Sequence, residues 1–297
     1  MSFTTDVKAE LCAIRREGTS SQVECHGMLI LCRSFSFEKI LLQTRSREVA
    51  EIFCTLLRQS FDVIAGIKCG GSKNPTYTVE VISDADRKRI LYRLGYKHSD
   101  EIQIDFSKIR TDGNIKAFIR GAFLSGGNIS DPEKEYRAEF SFKSNEAAAD
   151  FVGLLDSKGF DFSLTYRAGK FLVYTKNSTT IEELLAFLGA GNETLNLIGI
   201  KVYKSVRNKS NRQNNFETSN ILKTADAAFL QIAAIEKIKK AGRLETLPER
   251  LYEVAMLRLE NPEMSLSNLS KLSKTGITRS GLNHRIQELI KIAEKIK

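Results

Sequence analysis

The 297-residue chain contains no run of about 18 apolar residues, so no stretch reads as a membrane-spanning helix. Nor is a targeting leader expected. Thr4 to Arg16 is a charged amphipathic pattern holding Asp6 and Glu10, unlike a signal or transit peptide, and the expected location is the cytoplasm. Cysteine is sparse: Cys12, Cys25, Cys32, Cys54 and Cys69 are odd in number, lack CxxC spacing and mostly sit within apolar runs. That pattern fits buried free thiols and argues against a disulfide framework or a zinc site. Histidine is rarer still, with three residues, and His26 has no Cys, Asp or His at ligand spacing on its helix, which makes it structural. No metal site, cofactor motif or catalytic constellation emerges, and no small-molecule substrate is implied.

Acidic excess is also lacking. The net charge is +9, and its distribution is uneven: residues 1–200 carry 26 Lys+Arg against 26 Asp+Glu, whereas 201–297 carry 19 against 10. A basic module joined to a neutral body is the electrostatic footprint of a polyanion-binding domain.

What the chain does have is an internal repeat. Ile119-Arg120-Gly121-Ala122-Phe123-Leu124-Ser125-Gly126-Gly127 has a weaker copy in Cys25-His26-Gly27-Met28-Leu29-Ile30-Leu31-Cys32-Arg33. Placing Gly27 on Gly121 gives an offset of 94, which also brings Val79 onto Val173 and Leu94-Gly95 onto Leu188-Gly189. A repeat of this length is too long for a solenoid and predicts two similar lobes about a pseudo-twofold axis. In the first, Phe35–Thr44 reads as strand, Ser46–Ser60 as helix, Tyr77–Ile82 as strand and Asp84–Gly95 as helix. In the second, Tyr136–Lys143 alternates apolar and polar residues as a strand with one wet face does, Asn145–Lys158 reads as helix, Asp161–Tyr166 and Lys170–Thr175 as a hairpin, and Thr180–Gly189 as helix.

Helices that cross with their backbones in contact need a small residue at the crossing, a part suited to Gly27 and Gly121. These paired glycine helices resemble the LAGLIDADG homing endonuclease fold, in which each such helix ends in an acid that holds a divalent metal. Here Cys32 and Gly126 occupy the acids' positions, and neither side chain offers oxygen to magnesium. The resemblance therefore implies the fold without the nuclease. Because the body is charge-balanced and its wet strand mixes Arg137 with Glu139, it is expected to bind DNA weakly or to dock another protein.

Ser205–Asn220 breaks the pattern with five asparagines, Arg207, Lys209 and Arg212 and almost no apolar residues. It reads as a solvated connector or as an arm that touches phosphates. Beyond it lie a helix ending at Gly242, a second from Pro248 to Asn261-Pro262, a short one capped by Ser265, a turn through Lys274-Thr275-Gly276 and a last helix capped near Thr278. The final pair has the length and turn of a helix-turn-helix. Its last helix offers base-reading residue types in Arg279, Ser280, Asn283, His284, Arg285 and Gln287, while Ser265, Ser267, Thr278, Lys271 and Lys274 suit phosphates.

Both features in this order, with Ser280-Gly281-Leu282-Asn283-His284-Arg285, Val7-Lys8-Ala9-Glu10-Leu11, Phe118–Pro132, Asn211–Thr224 and Leu257–Pro262, resemble the WhiA family of bacterial regulators over nearly the whole chain. The resemblance implies an α+β protein: two pseudo-symmetric LAGLIDADG-type αββαββα lobes followed by an all-α helix-turn-helix domain. The expected layout is an N-terminal helix in 1–20, lobes at 21–110 and 111–204, a basic polar linker at 205–220, and a helical DNA-binding domain at 221–297 with its helix-turn-helix near 265–297. It further implies a non-enzymatic, nucleoid-associated regulator of transcription that binds double-stranded DNA, with RNA polymerase or a companion regulator as further partners. The role implied is in sporulation, or in cell division and chromosome segregation. The alternative is a nucleoid- or division-associated adaptor binding DNA without strong sequence preference. One departure is His26, where the family motif has a small residue.

Overall fold

A computed structural model describes residues 2–16, 20–71, 74–97, 104, 109–273 and 276–296. The chain divides into two compact units, Met1–Lys204 and Ser205–Lys297.

The first unit opens with α1 (Phe3–Cys12), capped by the Ser2 hydroxyl. Two copies of one αββαββα motif follow. The first is α2 (Ser20–Ile30), β1 (Ser34–Phe35), β2 (Ile40–Thr44), α3 (Arg47–Phe61), β3 (Ile67–Gly70), β4 (Thr76–Val81) and α4 (Asp84–Leu94). The second is α5 (Asp112–Gly126), β5 (Gly127–Ile129), β6 (Ala138–Phe142), α6 (Asn145–Asp156), β7 (Ser163–Arg167), β8 (Lys170–Thr175) and α7 (Ser178–Leu188). Both sheets are antiparallel with equivalent orders, β1-β2-β4-β3 and β5-β6-β8-β7. The repeat read from the sequence is thus a repeat of structure. Val79 and Val173 sit fully buried in the matching strands β4 and β8, and Gly95 and Gly189 end α4 and α7 in the left-handed conformation, at φ 97° and 102°.

Local chemistry explains the helix starts. Ser46, Ser83, Thr111 and Ser144 each place a hydroxyl on the backbone N–H three residues on, the N-cap bond that satisfies an otherwise orphaned donor. The strands obey alternation: Ala138, Phe140 and Phe142 point into the core while Glu139 and Ser141 lie on the wetter face. Phe35–Thr44 is not a single strand but a hairpin whose tip, residues 36–39, separates β1 from β2, with the Lys39 carbonyl accepting from the Ser36 N–H at 2.9 Å.

Helices α2 and α5 form the centre of the unit. A methyl added at Gly27 would stand 2.1 Å from the Phe118 carbonyl oxygen, and one at Gly121 would stand 2.0 Å from that of Glu24. The two glycines are therefore reciprocal, each admitting the backbone of the other helix. His26 does not disturb this crossing: its Nε2 lies 2.8 Å from the Tyr96 hydroxyl and its ring meets Phe118 edge-on at 5.4 Å.

Beside the crossing, the fully buried Glu24 takes Arg120 Nε at 3.1 Å and Nη2 at 2.6 Å, and Arg16 Nε at 3.1 Å and Nη2 at 3.0 Å. Arg16 also donates to the carbonyls of Leu11, Cys12 and Ile14, tying the end of α1 to the same point. A buried charge needs such full pairing, because its desolvation otherwise exceeds any gain.

Helix α8 (Gly191–Lys240) begins in the first unit, where both Glu10 carboxylate oxygens accept its first N–H groups, from Asn192 at 2.8 Å and Glu193 at 3.0 Å. It ends in the second unit, where Ile235 and Ile238 are fully buried. The stretch 205–220, expected as a basic polar linker or arm, is helical, with every residue exposed. No Gly or Pro occurs between Lys201 and Lys240, and nothing in this polar stretch breaks a helix once its ends are held. The second unit continues with α9 (Glu249–Glu260), α10 (Leu266–Leu272) and α11 (Arg279–Glu294) around a core of Ile235, Ile238, Leu251, Val254, Leu269, Leu282, Ile286 and Leu289. No helix among the described residues is long and apolar enough to cross a membrane.

Candidate nucleic-acid interface

Helices α10 and α11 are each started by a hydroxyl cap. Ser265 Oγ accepts from the Asn268 N–H at 3.2 Å, and Thr278 Oγ1 from that of Gly281 at 3.2 Å. Each hydroxyl keeps its own hydrogen, so Ser265 and Thr278 remain able to donate to a phosphate at a helix N-terminus. Ser267 and Lys271 are exposed on α10, while Lys274 lies outside the described residues. Gly276 adopts φ 62° in the turn, a conformation glycine reaches without strain.

On α11, Leu282, Ile286, Leu289 and Ala293 make one buried stripe. Arg279, Asn283 and Gln287 follow at four-residue spacing on the far side, with Ser280 and His284 beside them, and all five are exposed. At about 100° per residue these five span an arc of about 140°, one continuous polar face. His284 Nδ1 lies 3.6 Å from Glu288 Oε1. Arg285 departs from the sequence expectation. It is half-buried on the flank toward α9, donating to the Arg250 carbonyl at 3.4 Å, so it braces α11 on α9 instead of joining the exposed face.

Arg258, which sequence reasoning missed, holds the entry to this motif. Its side chain is almost wholly buried and donates to the carbonyls of Met264 at 2.6 Å and Asn261 at 3.4 Å, closing the turn between α9 and α10. One charged residue among several in an amphipathic helix gives no sign in the sequence of such a part. Arg207 and Arg212, by contrast, are not brought together: five residues apart on α8, they lie about 140° apart around it.

The positions where the nuclease fold carries its acids hold no ligand. Cys32 is buried, donates from Sγ to the Ser34 carbonyl at 2.7 Å, and desolvation pushes its thiol up to about 12. Gly126 packs against Leu31, whose Cβ is 2.8 Å from where a methyl would sit. Asp131 is exposed and accepts from the Glu133 N–H at 3.0 Å in a turn of its own. Among the described residues no cluster of three or more His, Cys, Asp or Glu is placed to hold a metal.

Comparison with known proteins bears directly on this arrangement. The model of the WhiA LAGLIDADG-like domain matches residues 115–207 and that of the WhiA C-terminal HTH domain matches 210–293. A protein of Clostridium perfringens named "Probable cell division protein WhiA" is 35% identical over 315 aligned residues, covering 100% of this chain and 99% of its own. The chain belongs to the WhiA family. A WhiA of Clostridium acetobutylicum carrying the same name is 33% identical over 316 residues, with the same coverage. The crystal structure of full-length WhiA from Thermotoga maritima, 24% identical, superposes with a TM-score of 0.59 over 100% of this chain and 99% of that one. The WhiA fold, a LAGLIDADG-like body with a helix-turn-helix domain after it, is the fold of this chain.

Proposed function

We propose that this protein is a sequence-specific, DNA-binding regulator of transcription without catalytic activity. The observation that carries the reading is the one-sided α11: an arc of Arg, Ser, Asn, His and Gln left wholly to solvent opposite a buried apolar stripe. Arg279 and Asn283 have the side chains that pair bidentately with guanine and adenine, and His284 and Gln287 extend the same face. Ser265, Ser267, Thr278 and Lys271 serve as phosphate anchors around it, Lys274 is assigned the same part from its charge alone, and the exposed Arg207 and Arg212 contribute charge. The basic excess confined to residues 201–297 supports this assignment. The lobes act as a body that docks RNA polymerase or a companion regulator, with Cys32 and Gly126 marking lost metal positions. We read its biological role as one in cell division, in keeping with the names of the clostridial relatives, with chromosome segregation or sporulation as the proposed setting and the nucleoid in the cytoplasm as the proposed site of action.

Incubating the purified protein with fragmented genomic DNA and magnesium, then sequencing both retained fragments and new ends, tests the reading. Enrichment of one short shared motif without new ends is the expected result. Retention without a motif favours the adaptor, and protein-dependent ends would restore a nuclease.

A further inference from the structure

Where α2 and α5 end, the two lobes leave a cleft formed of two adjoining hollows of about 750 and 600 Å³, the size of a small-molecule site. Arg33, Lys143 and Lys170 line it, and none of the three has a carboxylate partner among the described residues. On the sheets Lys39 pairs with Glu80 at 3.4 Å and Arg137 with Glu139 at 2.7 Å. The cations of the cleft are arranged differently. Phe142 pairs with Phe171 across β6 and β8, so one step further the register sets Lys143 directly opposite Lys170. Like charges facing each other across strands oppose folding, and no internal acid offsets them. Lys143 Nζ instead donates to the Arg33 carbonyl of the other lobe, and Arg33 Nη1 to Gln43 Oε1, which holds the cationic groups about one opening. The single lining carboxylate, Glu146, is engaged in capping α6 by accepting from the Ser144 hydroxyl at 2.7 Å.

The remaining walls are chemically different. Half-buried Ile30, Phe35 and Phe171 give the second hollow an apolar floor, and Ser34 and Ser141 add hydroxyls to the lining. Three uncompensated cations ask for a polyanion of compact charge, and an apolar floor asks for a flat ring joined to it. The backbone of a DNA duplex supplies the first and not the second. We infer that this inter-lobe cleft binds a free nucleotide, its phosphates on Arg33, Lys143 and Lys170 and its base against Ile30, Phe35 and Phe171. The cleft uses none of the residues assigned to DNA, so the inference stands apart from the proposed function.

Titration calorimetry of the full-length chain with ATP, GTP, CTP, UTP and, as a ring-free probe, pyrophosphate tests it. At least one nucleotide should saturate one site per chain and bind at least about tenfold tighter than pyrophosphate, the gain expected from burying a ring beside the charge-assisted bonds. Lys170→Glu should weaken that nucleotide by about tenfold or more and, because it relieves the repulsion with Lys143, should raise the melting temperature. Lys68→Glu, on an exposed strand outside the cleft, should leave affinity unchanged. No saturation by any nucleotide at millimolar concentration, equal affinity for pyrophosphate, or undiminished binding by Lys170→Glu each overturns the inference. So does displacement of the nucleotide by a duplex whose own binding Lys170→Glu weakens equally, which would give the cleft to DNA.

Discussion

Replacing Gly121 by alanine puts one methyl into the contact between α2 and α5. At that position a Cβ lies 2.0 Å from the Glu24 carbonyl oxygen and 3.0 Å from the Met28 nitrogen, both backbone atoms that no rotamer change can move aside. A comfortable carbon-to-oxygen approach is about 3.3 Å, so the helices must part by about 1 Å. Overpacking of this kind costs ~3 kcal/mol at the upper end of its usual range, and alanine's better helix propensity returns ~1 kcal/mol. The net loss of ~2 kcal/mol corresponds to a fall of ~4–8 °C in melting temperature for a unit of this size. Gly153→Ala supplies the internal control. It lies on the exposed face of α6 with nothing within 4 Å of the added carbon, so propensity acts alone and the melting temperature should rise. Gly27→Ala should behave as Gly121→Ala does, and the double variant should lose less than the sum, since either methyl opens the same crossing. Thermal unfolding followed by circular dichroism reads all four. If Gly121→Ala and Gly153→Ala shift the transition in the same direction, the close crossing is wrong.

Three further outcomes follow from the buried charges and the helical domain. Glu24→Gln leaves Arg16 and Arg120 without their counter-charge, costing ~3–5 kcal/mol or ~6–20 °C, and a drop below ~2 °C in a thermal melt would contradict the pairing. Lys8, with Nζ 5.7 Å from the centroid of the Phe123 ring, has its pKa lowered by burial from 10.5 to about 8. Between those values the unfolded chain holds more protons, so the cost of charging Lys8 is complete below pH 8 and fades toward pH 10.5. Lys8→Met should therefore be more stable than the parent at pH 7, with a margin that shrinks from pH 8 to 10.5; a margin independent of pH in denaturant titrations would refute this. Arg258→Ala leaves the carbonyls of Met264 and Asn261 unpaired and should speed amide exchange in the α9–α10 turn while α3 keeps its protection.

The sequence displayed the architecture because its punctuation is local. A glycine at a crossing, a serine three residues ahead of the N–H it caps and a left-handed glycine after a helix are each fixed by neighbours, and at an offset of 94 they reveal the duplication. The short strands β3 and β5 hold four and three residues, too few for an alternation to register. Helix α8 escaped for a different reason. A helix exposed on every side carries no apolar period, so residues 205–220 resembled a linker although nothing in them opposes helix. On the α11 face, Arg279, Asn283 and Gln287 were readable from their spacing opposite Leu282, Ile286 and Leu289. Arg285 was not, because the distinction between an exposed and a flanking position depends on where α9 lies. Nor were Glu24 with Arg120, or Arg33 with Lys143 and Lys170, whose proximity is created by packing two lobes that lie about a hundred residues apart in sequence.

Base reading by α11 is decided by the affinity of the full-length chain for its own genome-selected duplex and for a scrambled duplex of equal length, with the parent and with Arg279→Ala/Asn283→Ala. The parent should prefer the selected duplex, and the double variant should bind both with nearly equal affinity, its residual binding still weakening with salt at a log–log slope of about −0.9 per phosphate contacted. A double variant that keeps the parent's preference would contradict the assignment of α11 as the base-reading helix.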